Sequence, residues 1–338
     1  MKTFSKVLVG SAATLMLAAT AQSATLQDVQ GRDALRCGVS DGLPGFSVTN
    51  AQGDWVGLDV DTCRGVAAAV LGDADKVEFV SLTAVERFTA LQSGEVDMLS
   101  RNTTWTTTRD ASLGINFTGV NYYDGQGFLI SRDLGVDSAY DLSGAAVCVA
   151  SGTTTELNLS DFFAANNMDF EPVLYDTSDQ TVAGFEAGRC DVLTSDTSQL
   201  AALRIQLSDP DSAMVLPEII SKEPLGPSVR QGDDEWFNIV KWALFLQINA
   251  EEYGVTMDNV DDMLASEDPN VSRIVGTDGD LGNILGLPDD WGYQIISQVG
   301  NYEEMFNRNV GPDTPLGLAR GTNALWTNGG IMYAPPVR

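Results

Sequence analysis

The segments LQSGEVDMLSRN at residues 91–102 and FEAGRCDVLTSD at residues 185–196 follow one pattern. In each, a glycine, an aspartate and a leucine recur at the same spacing: Gly94, Asp97 and Leu99, then Gly188, Asp191 and Leu193. Each glycine lies where a helical pattern ends, and each leucine lies in a short apolar run typical of a strand. The match predicts a chain of two similar halves, with Asn102 and Asp196 at equivalent positions just beyond a strand.

Short strands and helices alternate around these segments. In the first half the pattern predicts strands at 35–39, 76–82 and 96–100, and helices at 59–71 and 84–93. In the second half it predicts strands at 145–150, 172–175 and 190–194, and helices from 153 and at 179–187. Such alternation is typical of parallel strands joined by right-handed crossovers. The predicted fold class is therefore α/β, with two lobes that each contain a mainly parallel sheet flanked by helices.

Two further segments are expected to cross between the halves. The segment at 119–131 combines glycines with β-forming residues, and the segment at 221–230 contains two prolines that stiffen the chain. An apolar helix predicted at 234–252 would then return to the first half. Because open parallel sheets bind ligands beyond the carboxyl ends of their strands, two such lobes face to face would form a binding cleft.

The beginning of the chain has the pattern of an export signal. Lys2 and Lys6 flank a basic start, residues 7–19 are apolar, and small residues follow up to Ala24. This arrangement predicts a cleavable signal peptide at residues 1–24, and the apolar run is too short to span a bilayer permanently. We therefore expect an exported, soluble and periplasmic protein.

Composition excludes several classes of function. With 47 acidic and 19 basic residues, the net charge of −28 makes nucleic acid an improbable partner. The chain contains no histidine, which excludes Ser-His-Asp and Cys-His catalysis and every histidine-ligated metal site. We expect neither a metal nor a cofactor.

Four cysteines are present: Cys37, Cys63, Cys148 and Cys190. An even number in an exported chain favours disulfides, and no pair has the close spacing of a zinc or redox site. Three pairings are possible. We favour Cys37–Cys63 with Cys148–Cys190, since each bond then stays within one half.

Polar residues beyond the predicted strands suggest a zwitterion site. Arg109 could bind a carboxylate with two parallel hydrogen bonds, and Thr104 could add donors, although composition alone favours a surface pair of Arg109 with Asp110. The segment SGTTTE at 151–156 could present free N–H groups to an anion or be only a well-capped helix start. Asp196 offers acceptors for an ammonium group. An α-amino acid carries both charges.

The chain resembles the amino-acid-binding proteins of ABC importers, in particular the branch for general L-amino acids or for glutamate, glutamine, aspartate and asparagine. The resemblance extends over nearly the whole chain after the predicted signal, through CGVSDGLPGFS (37–47), GLDVDTCRGVAAAV (57–70), RFTALQSGEVDMLSRNTTWTTTRD (87–110), YYDGQGF (122–128), SGTTTELNL (151–159), GRCDVLTSD (188–196), SKEPLGP (221–227), GNYEEMFNRNVG (300–311) and RGTNALW (320–326). It implies a periplasmic-binding-protein-like fold that closes on a solute and docks on a membrane permease. Lobe 1 would comprise residues 25–124 plus 226–338, and lobe 2 residues 125–225, joined by two crossing strands.

The resemblance also implies roles for individual residues. Arg109 would bind the α-carboxylate, helped by Thr104 and, from the second lobe, by Thr153 and Thr154. Asp196 would bind the α-ammonium.

Three further positions complete the expected site. Asn102 would contribute its backbone carbonyl to the ammonium, and Arg87 would bind a side-chain carboxylate unless it is only structural. Leu43 replaces the aromatic residue that many relatives place over the solute, and Trp105 could serve in its stead.

Two alternative functions remain open from the sequence. An exported enzyme of the cyclic amino acid dehydratase type would need an acid or base over the ligand, for which Asp196 and Glu156 are the nearby candidates. A soluble amino-acid sensor for a chemoreceptor is a second alternative. We expect a monomeric binding protein without enzymatic turnover.

Overall fold

The computed structural model describes residues 25–338, so the predicted signal peptide at 1–24 lies outside the described residues. The chain begins with α1 (Thr25–Arg32), β1 (Leu35–Val39), β2 (Val48–Thr49), β3 (Trp55–Val56), α2 (Leu58–Leu71), β4 (Val77–Ser81), α3 (Arg87–Ser93), β5 (Met98–Leu99), α4 (Thr107–Ser112), β6 (Ile115–Phe117) and β7 (Tyr122–Asp124). It continues with β8 (Gln126–Ser131), β9 (Ala146–Ala150), α5 (Thr154–Ala165), β10 (Glu171–Tyr175), α6 (Ser178–Glu186), β11 (Val192–Asp196), α7 (Thr197–Arg204) and β12 (Ala213–Val215). It ends with β13 (Glu223–Leu225), β14 (Ser228–Arg230), α8 (Asp234–Glu252), α9 (Val260–Met263), α10 (Pro269–Ile274), α11 (Leu281–Ile284), α12 (Trp291–Gln298) and α13 (Tyr302–Asn309).

Two five-stranded sheets organise the protein, with strand orders β4-β1-β5-β14-β6 and β10-β9-β11-β8-β12. In each sheet four strands run in one direction and one strand, β14 or β8, runs against them. The reversed strand is the one by which the chain enters from the other half, so it starts at the edge where the parallel strands end. The prediction of two α/β lobes with mainly parallel sheets is confirmed, and we call the halves built on the first and second sheet lobe 1 and lobe 2.

The strands β7 and β13 cross between the lobes and pair with each other in antiparallel fashion. Asp124 lies directly opposite Glu223, and Tyr122 opposite Leu225. Both strands lie within the segments predicted to cross, and the boundaries expected at 124/125 and 225/226 fall at their ends.

The repeated aspartates of the two similar segments make the same contacts in both lobes. The backbone N–H of Asp97 donates to the Arg36 carbonyl at 2.9 Å, and its carboxylate accepts from the Arg36 N–H at 2.8 Å. Asp191 does the same with Ala146, at 2.8 and 2.9 Å. Each aspartate therefore ties the start of the third parallel strand to the start of the first, which explains why both segments need it.

The helix predicted at 84–93, α3, begins later than predicted. Residues 84–86 form a turn, and α3 starts at Arg87. Thr83 and Glu86 exchange the reciprocal side-chain contacts of a capping box, at 3.1 and 3.3 Å, and this turn precedes the regular helix. The predicted helix at 234–252 agrees with α8 at both ends.

Both predicted disulfides are present. Cys37–Cys63 joins β1 to α2 in lobe 1. Cys148–Cys190 joins β9 to the segment just before β11 in lobe 2. Each bond cross-links a central strand to a neighbouring element of its own lobe.

Residues after α8 form a C-terminal extension on lobe 1 that also holds the chain just before the crossing. Three of its side chains, which we call the C-terminal clamp, contact residues 121–123: Tyr302 donates to the Asn121 carbonyl (2.8 Å), Phe306 stacks on Tyr122 (6.1 Å between centroids), and Asn323 bonds both the N–H and the carbonyl of Tyr123 (2.7 and 3.0 Å).

Within residues 25–338, no helix has the length and apolarity needed to cross a membrane.

Candidate ligand-binding site

A cavity lies between the lobes at the carboxyl ends of their parallel strands, where such sheets bind ligands. Its lining from lobe 1 is Ala84, Arg87, Arg101, Asn102 and Thr104, and from lobe 2 Ala150, Thr153, Thr154, Thr155, Asp176, Ser178, Ser195, Asp196 and Gln199. Six of the eight residues predicted to bind a ligand are therefore brought together. The other two, Arg109 and Leu43, lie elsewhere and are described below.

Arg109 lies behind Thr104, on the helix α4. Thr106 caps this helix by accepting from the Arg109 N–H at 3.2 Å, and the guanidinium donates to the Thr104 carbonyl at 2.9 Å. The residue is 8% exposed, and burial lowers its pKa to about 10 against the attraction of Glu223 and Asp196. Arg109 is thus a buried cation next to the cavity, and not half of a surface pair.

Arg87 is a buried arginine of the cavity with few hydrogen-bond partners among the described residues. It is 2% exposed, its Nη1 lies 3.4 Å from the Thr103 hydroxyl, and its guanidinium sits 4.9 Å from the centre of the Phe88 ring. Its Nε is buried and has no hydrogen-bond partner among the described residues. Burial lowers the pKa of Arg87 strongly, and the nearby Arg101 and Arg109 lower it further. Free donors on a buried cation require an anionic partner.

Arg101 is the second arginine that lines the cavity, and the sequence analysis assigned it no role. Its Nε donates to the Leu82 carbonyl at 2.9 Å, and its Nη1 to the Asn102 side chain at 3.3 Å. Its Nη2 lies 3.7 Å from Asp41. The available signal was a basic residue directly before Asn102 in a chain that has few basic residues.

Asn102 is held in an unusual backbone conformation, with φ of 32°. Its N–H donates to the buried carboxylate of Asp59 at 2.8 Å, and its side-chain amide reaches Gln199 of lobe 2 at 3.3 Å. Asp59 also accepts from Ser100 at 3.0 Å, and burial raises its pKa. Neither Asp59 nor Gln199 was predicted, because their sequence positions give no sign that they meet Asn102.

The start of α5 contributes the threonines of lobe 2. Thr153 caps the helix, accepting from the Glu156 N–H at 3.1 Å, so the well-capped helix start is confirmed. The Thr154 hydroxyl donates to Glu223 at 2.9 Å and lies 3.2 Å from the hydroxyl of Thr104. Thr154 therefore joins the two lobes and a crossing strand at one point.

Asp196 ends β11 and faces the cavity. It is 5% exposed, and its Oδ1 is buried without a hydrogen-bond partner among the described residues. Burial raises its pKa well above the usual value, and the neighbouring carboxylates of Asp124 and Glu223 raise it further, against Arg109 and Arg87. A buried carboxylate oxygen of this kind can accept a hydrogen bond from a cationic ligand.

Leu43 does not line the cavity. It exchanges two backbone hydrogen bonds of 2.8 Å with Ser47, and this tight turn places its side chain, fully buried, in the hydrophobic core. Trp105, considered as a substitute, is 39% exposed and stacks on Phe117 at 5.6 Å between ring centroids. The expected contact of Leu43 with a ligand is thus not supported by its position.

Comparison with known proteins gives the family. The model of the bacterial extracellular solute-binding proteins, family 3, matches residues 35–256. The chain belongs to this family. Its members are solute-binding proteins, which supports a binding function over the dehydratase alternative.

Several relatives match this family-3 protein over almost its full length. The general L-amino acid-binding periplasmic protein of Rhizobium johnstonii is 54% identical, over 98% of this chain and 97% of its own. The glutamate/glutamine/aspartate/asparagine-binding protein of Rhodobacter capsulatus is 51% identical, over 97% and 98%. A periplasmic binding protein from Brucella ovis, solved with glutathione bound, is 52% identical with a TM-score of 0.91, over 93% and 99% of the chains. The relatives therefore share the C-terminal extension beyond residue 256.

Proposed function

We propose that this protein binds an L-amino acid in the cleft between its lobes and delivers it to the membrane permease of an ABC importer. The observation that carries the proposal is that, among the described residues, the buried Oδ1 of Asp196 has no hydrogen-bond partner and lies in the same cavity as Arg87, whose Nε also lacks one. An acceptor without a donor and a cation without an anion are complementary to the ammonium and carboxylate of an amino acid.

Arg109 is proposed to bind the α-carboxylate, and the Thr104 and Thr154 hydroxyls would become further donors by exchanging their present hydrogen bonds for bonds to the ligand. Its burial favours this role, because a guanidinium out of water gains most from a bidentate carboxylate. Asp196 would hold the ammonium, with the Asn102 carbonyl beside it. Charge-assisted hydrogen bonds of about 1.5–3 kcal/mol each make micromolar affinity, about −8 kcal/mol, attainable without any chemical step.

Arg87 and Arg101 favour a ligand with a second anionic or polar group. Two buried arginines, Arg87 and Arg101, line the cavity and a third, Arg109, lies beside it, which is more positive charge than a single α-carboxylate neutralises. The names of the Rhizobium and Rhodobacter relatives are consistent with polar and acidic amino acids within a broad range. Acidic and amide L-amino acids are the ligands we propose first.

The setting of this function is proposed to be the periplasm. The name of the Rhizobium relative states that location, and the basic and apolar start of the chain would direct export with cleavage near residue 24. We propose a monomer with lobe 1 at residues 25–124 and 226–338 and lobe 2 at 125–225. The role of a soluble sensor has no observation in its favour.

A thermal-shift panel with the twenty amino acids tests the proposal. A ligand that binds only the folded state raises the melting midpoint with its concentration. Polar or acidic L-amino acids should produce shifts in the wild type, and Arg109→Ala should abolish them. Arg189→Ala, which removes an exposed arginine of lobe 2, is the matched control and should keep them. No shift with any amino acid would contradict the proposal, and shifts that persist in Arg109→Ala would show that the carboxylate site is misplaced.

A further inference from the structure

Helix α7 begins at Asp196 but is capped by a residue of a crossing strand. The Asp124 carboxylate accepts from the Ser198 N–H at 3.2 Å, the Thr197 hydroxyl at 2.6 Å and the Gly125 N–H at 2.8 Å. The Ser198 hydroxyl also donates to it. Asp196, at the N-cap position itself, makes no side-chain capping bond.

Capping of α7 by Asp124, and not by the N-cap residue Asp196, differs from the usual arrangement. An aspartate at the N-cap normally turns its carboxylate onto the first N–H groups of its own helix. Were Asp196 to do so, its oxygens would point toward the helix and be taken up by those donors. Because Asp124 occupies the donors instead, the Oδ1 of Asp196 is left without a partner, beside the cavity.

We infer that Asp124 is a positioning residue: by capping α7 from the crossing strand β7, it keeps the Asp196 carboxylate turned toward the ligand's ammonium. The inference rests on the proposed function, in which Asp196 binds that ammonium. It adds a residue that the ligand does not touch and whose effect passes through Asp196.

The surroundings of Asp124 strengthen this assignment. The Thr197 N–H donates to the Gly125 carbonyl at 2.8 Å, so backbone and side-chain bonds together fix the first turn of α7 to the end of β7. Asp124 also lies opposite Glu223 in the paired crossing strands. The negative charge of both carboxylates raises the pKa of Asp196.

The test compares ligands with and without the ammonium. Calorimetry measures the Kd of L-glutamate and of glutarate, and of L-glutamine and glutaramate, for wild type, Asp124→Ala, Asp124→Asn, Asp196→Asn and Asp124→Ala/Asp196→Asn. In Asp124→Ala we expect the amino acids to bind about tenfold or more weakly, a loss of about 1.4 kcal/mol, and the analogues without the ammonium to change less than about threefold. In the Asp196→Asn background the added Asp124→Ala should change every Kd less than about threefold, because the two residues act as one unit.

Asp124→Asn retains an acceptor oxygen for the Ser198 N–H. The ratio of the Kd of each amino acid to the Kd of its analogue without the ammonium should therefore stay within about threefold of the wild-type ratio. This variant also serves if Asp124→Ala does not fold. Equal weakening of both ligand classes, full additivity in the double variant, or an Asp124→Asn as impaired as Asp124→Ala would each overturn the inference. Wild-type protein that binds none of the twenty amino acids would overturn the proposed function together with it.

Discussion

The hydroxyl groups of Thr104 and Thr154 lie 3.2 Å apart and join the two lobes across the cleft. Since the Thr154 hydroxyl already donates to Glu223, at 2.9 Å, Thr104 must be the donor of the bond between them. Thr104 of lobe 1 therefore donates to Thr154 of lobe 2, which donates to Glu223 of the crossing strand β13. This chain of hydrogen bonds requires the two lobes to be in contact.

Loss of this chain should weaken ligand binding. Thr104→Val removes the donor and leaves the Thr154 hydroxyl with only its bond to Glu223, so closure should be less favourable by about 0.5–1.5 kcal/mol, roughly 2–10-fold in Kd. Calorimetry measures the change, and Thr108→Val, an exposed threonine nearby, is the control. Unchanged affinity in Thr104→Val would mean that the contact contributes nothing to closure.

Arg109 should not tolerate replacement by lysine. Lysine keeps the charge but lacks the planar fork that binds a carboxylate with two bonds, and it cannot reproduce the bond to the Thr104 carbonyl in the same geometry. We expect Arg109→Lys to weaken every amino acid by about tenfold or more in Kd. Affinity within about threefold of the wild type would indicate that Arg109 supplies only charge.

Arg87 should govern the preference for acidic ligands. With Arg87→Gln, L-glutamate should lose the roughly 1.5–3 kcal/mol of a charge-assisted bond, whereas a neutral ligand such as L-alanine should change little. The Kd ratio of the two ligands is the measurement. A parallel loss for both would show that Arg87 acts through the structure of the cavity.

Binding should release a proton from Asp196. Burial and neighbouring carboxylates raise its pKa in the empty site, and a bound ammonium would lower it again. At a pH between those two pKa values binding releases a proton, so affinity should fall as the pH drops through the raised pKa of Asp196. Calorimetry in two buffers of different ionisation enthalpy measures the proton count, which should be zero in Asp196→Asn. Equal proton release by Asp196→Asn and wild type would assign the proton to another group.

The same substitution should stabilise the ligand-free protein. A folded-state pKa raised above the unfolded value means that the charged form of Asp196 opposes folding, and a neutral amide removes that opposition at neutral pH. A gain of about 1 kcal/mol corresponds to a melting midpoint roughly 2–4 °C higher. A lower midpoint would show that the carboxylate has a stabilising partner.

The C-terminal clamp should contribute stability as well. Asn323→Ala removes the two hydrogen bonds to Tyr123, and we expect a loss of about 1–2 kcal/mol. Denaturant titration of this variant, with the exposed Asn328→Ala as control, measures it. Equal stability of the two variants would show that water replaces the clamp without cost.

The fold was predictable because its signals recur along the sequence. Asp97 and Asp191 recur because each ties two adjacent strands, and the apolar segment at 234–252 predicted both ends of α8. Cysteines placed within each half gave the correct disulfides.

The parts of the site that were missed depend on distant contacts. Asp59 meets Asn102 from 43 positions away, and Asp124 meets Ser198 from 74 positions away. Leu43 was expected at the ligand because it stands where many relatives carry an aromatic residue, but the turn that it forms with Ser47 places its side chain in the core. The spacing of residues along the chain does not show whether a side chain on such a turn points into the core or toward the cavity.

The C-terminal clamp also determines where the molecule can bend. It fixes residues 121–123 to lobe 1, and the backbone bonds of Pro224 with Trp105 and of Gly226 with Thr103 fix the second crossing strand to the same lobe. The part of the crossing strands that is fixed to lobe 1 therefore ends at the opposed pair Asp124 and Glu223. A rotation that opens the lobes would then turn about this pair, beside the residue proposed to hold the ammonium.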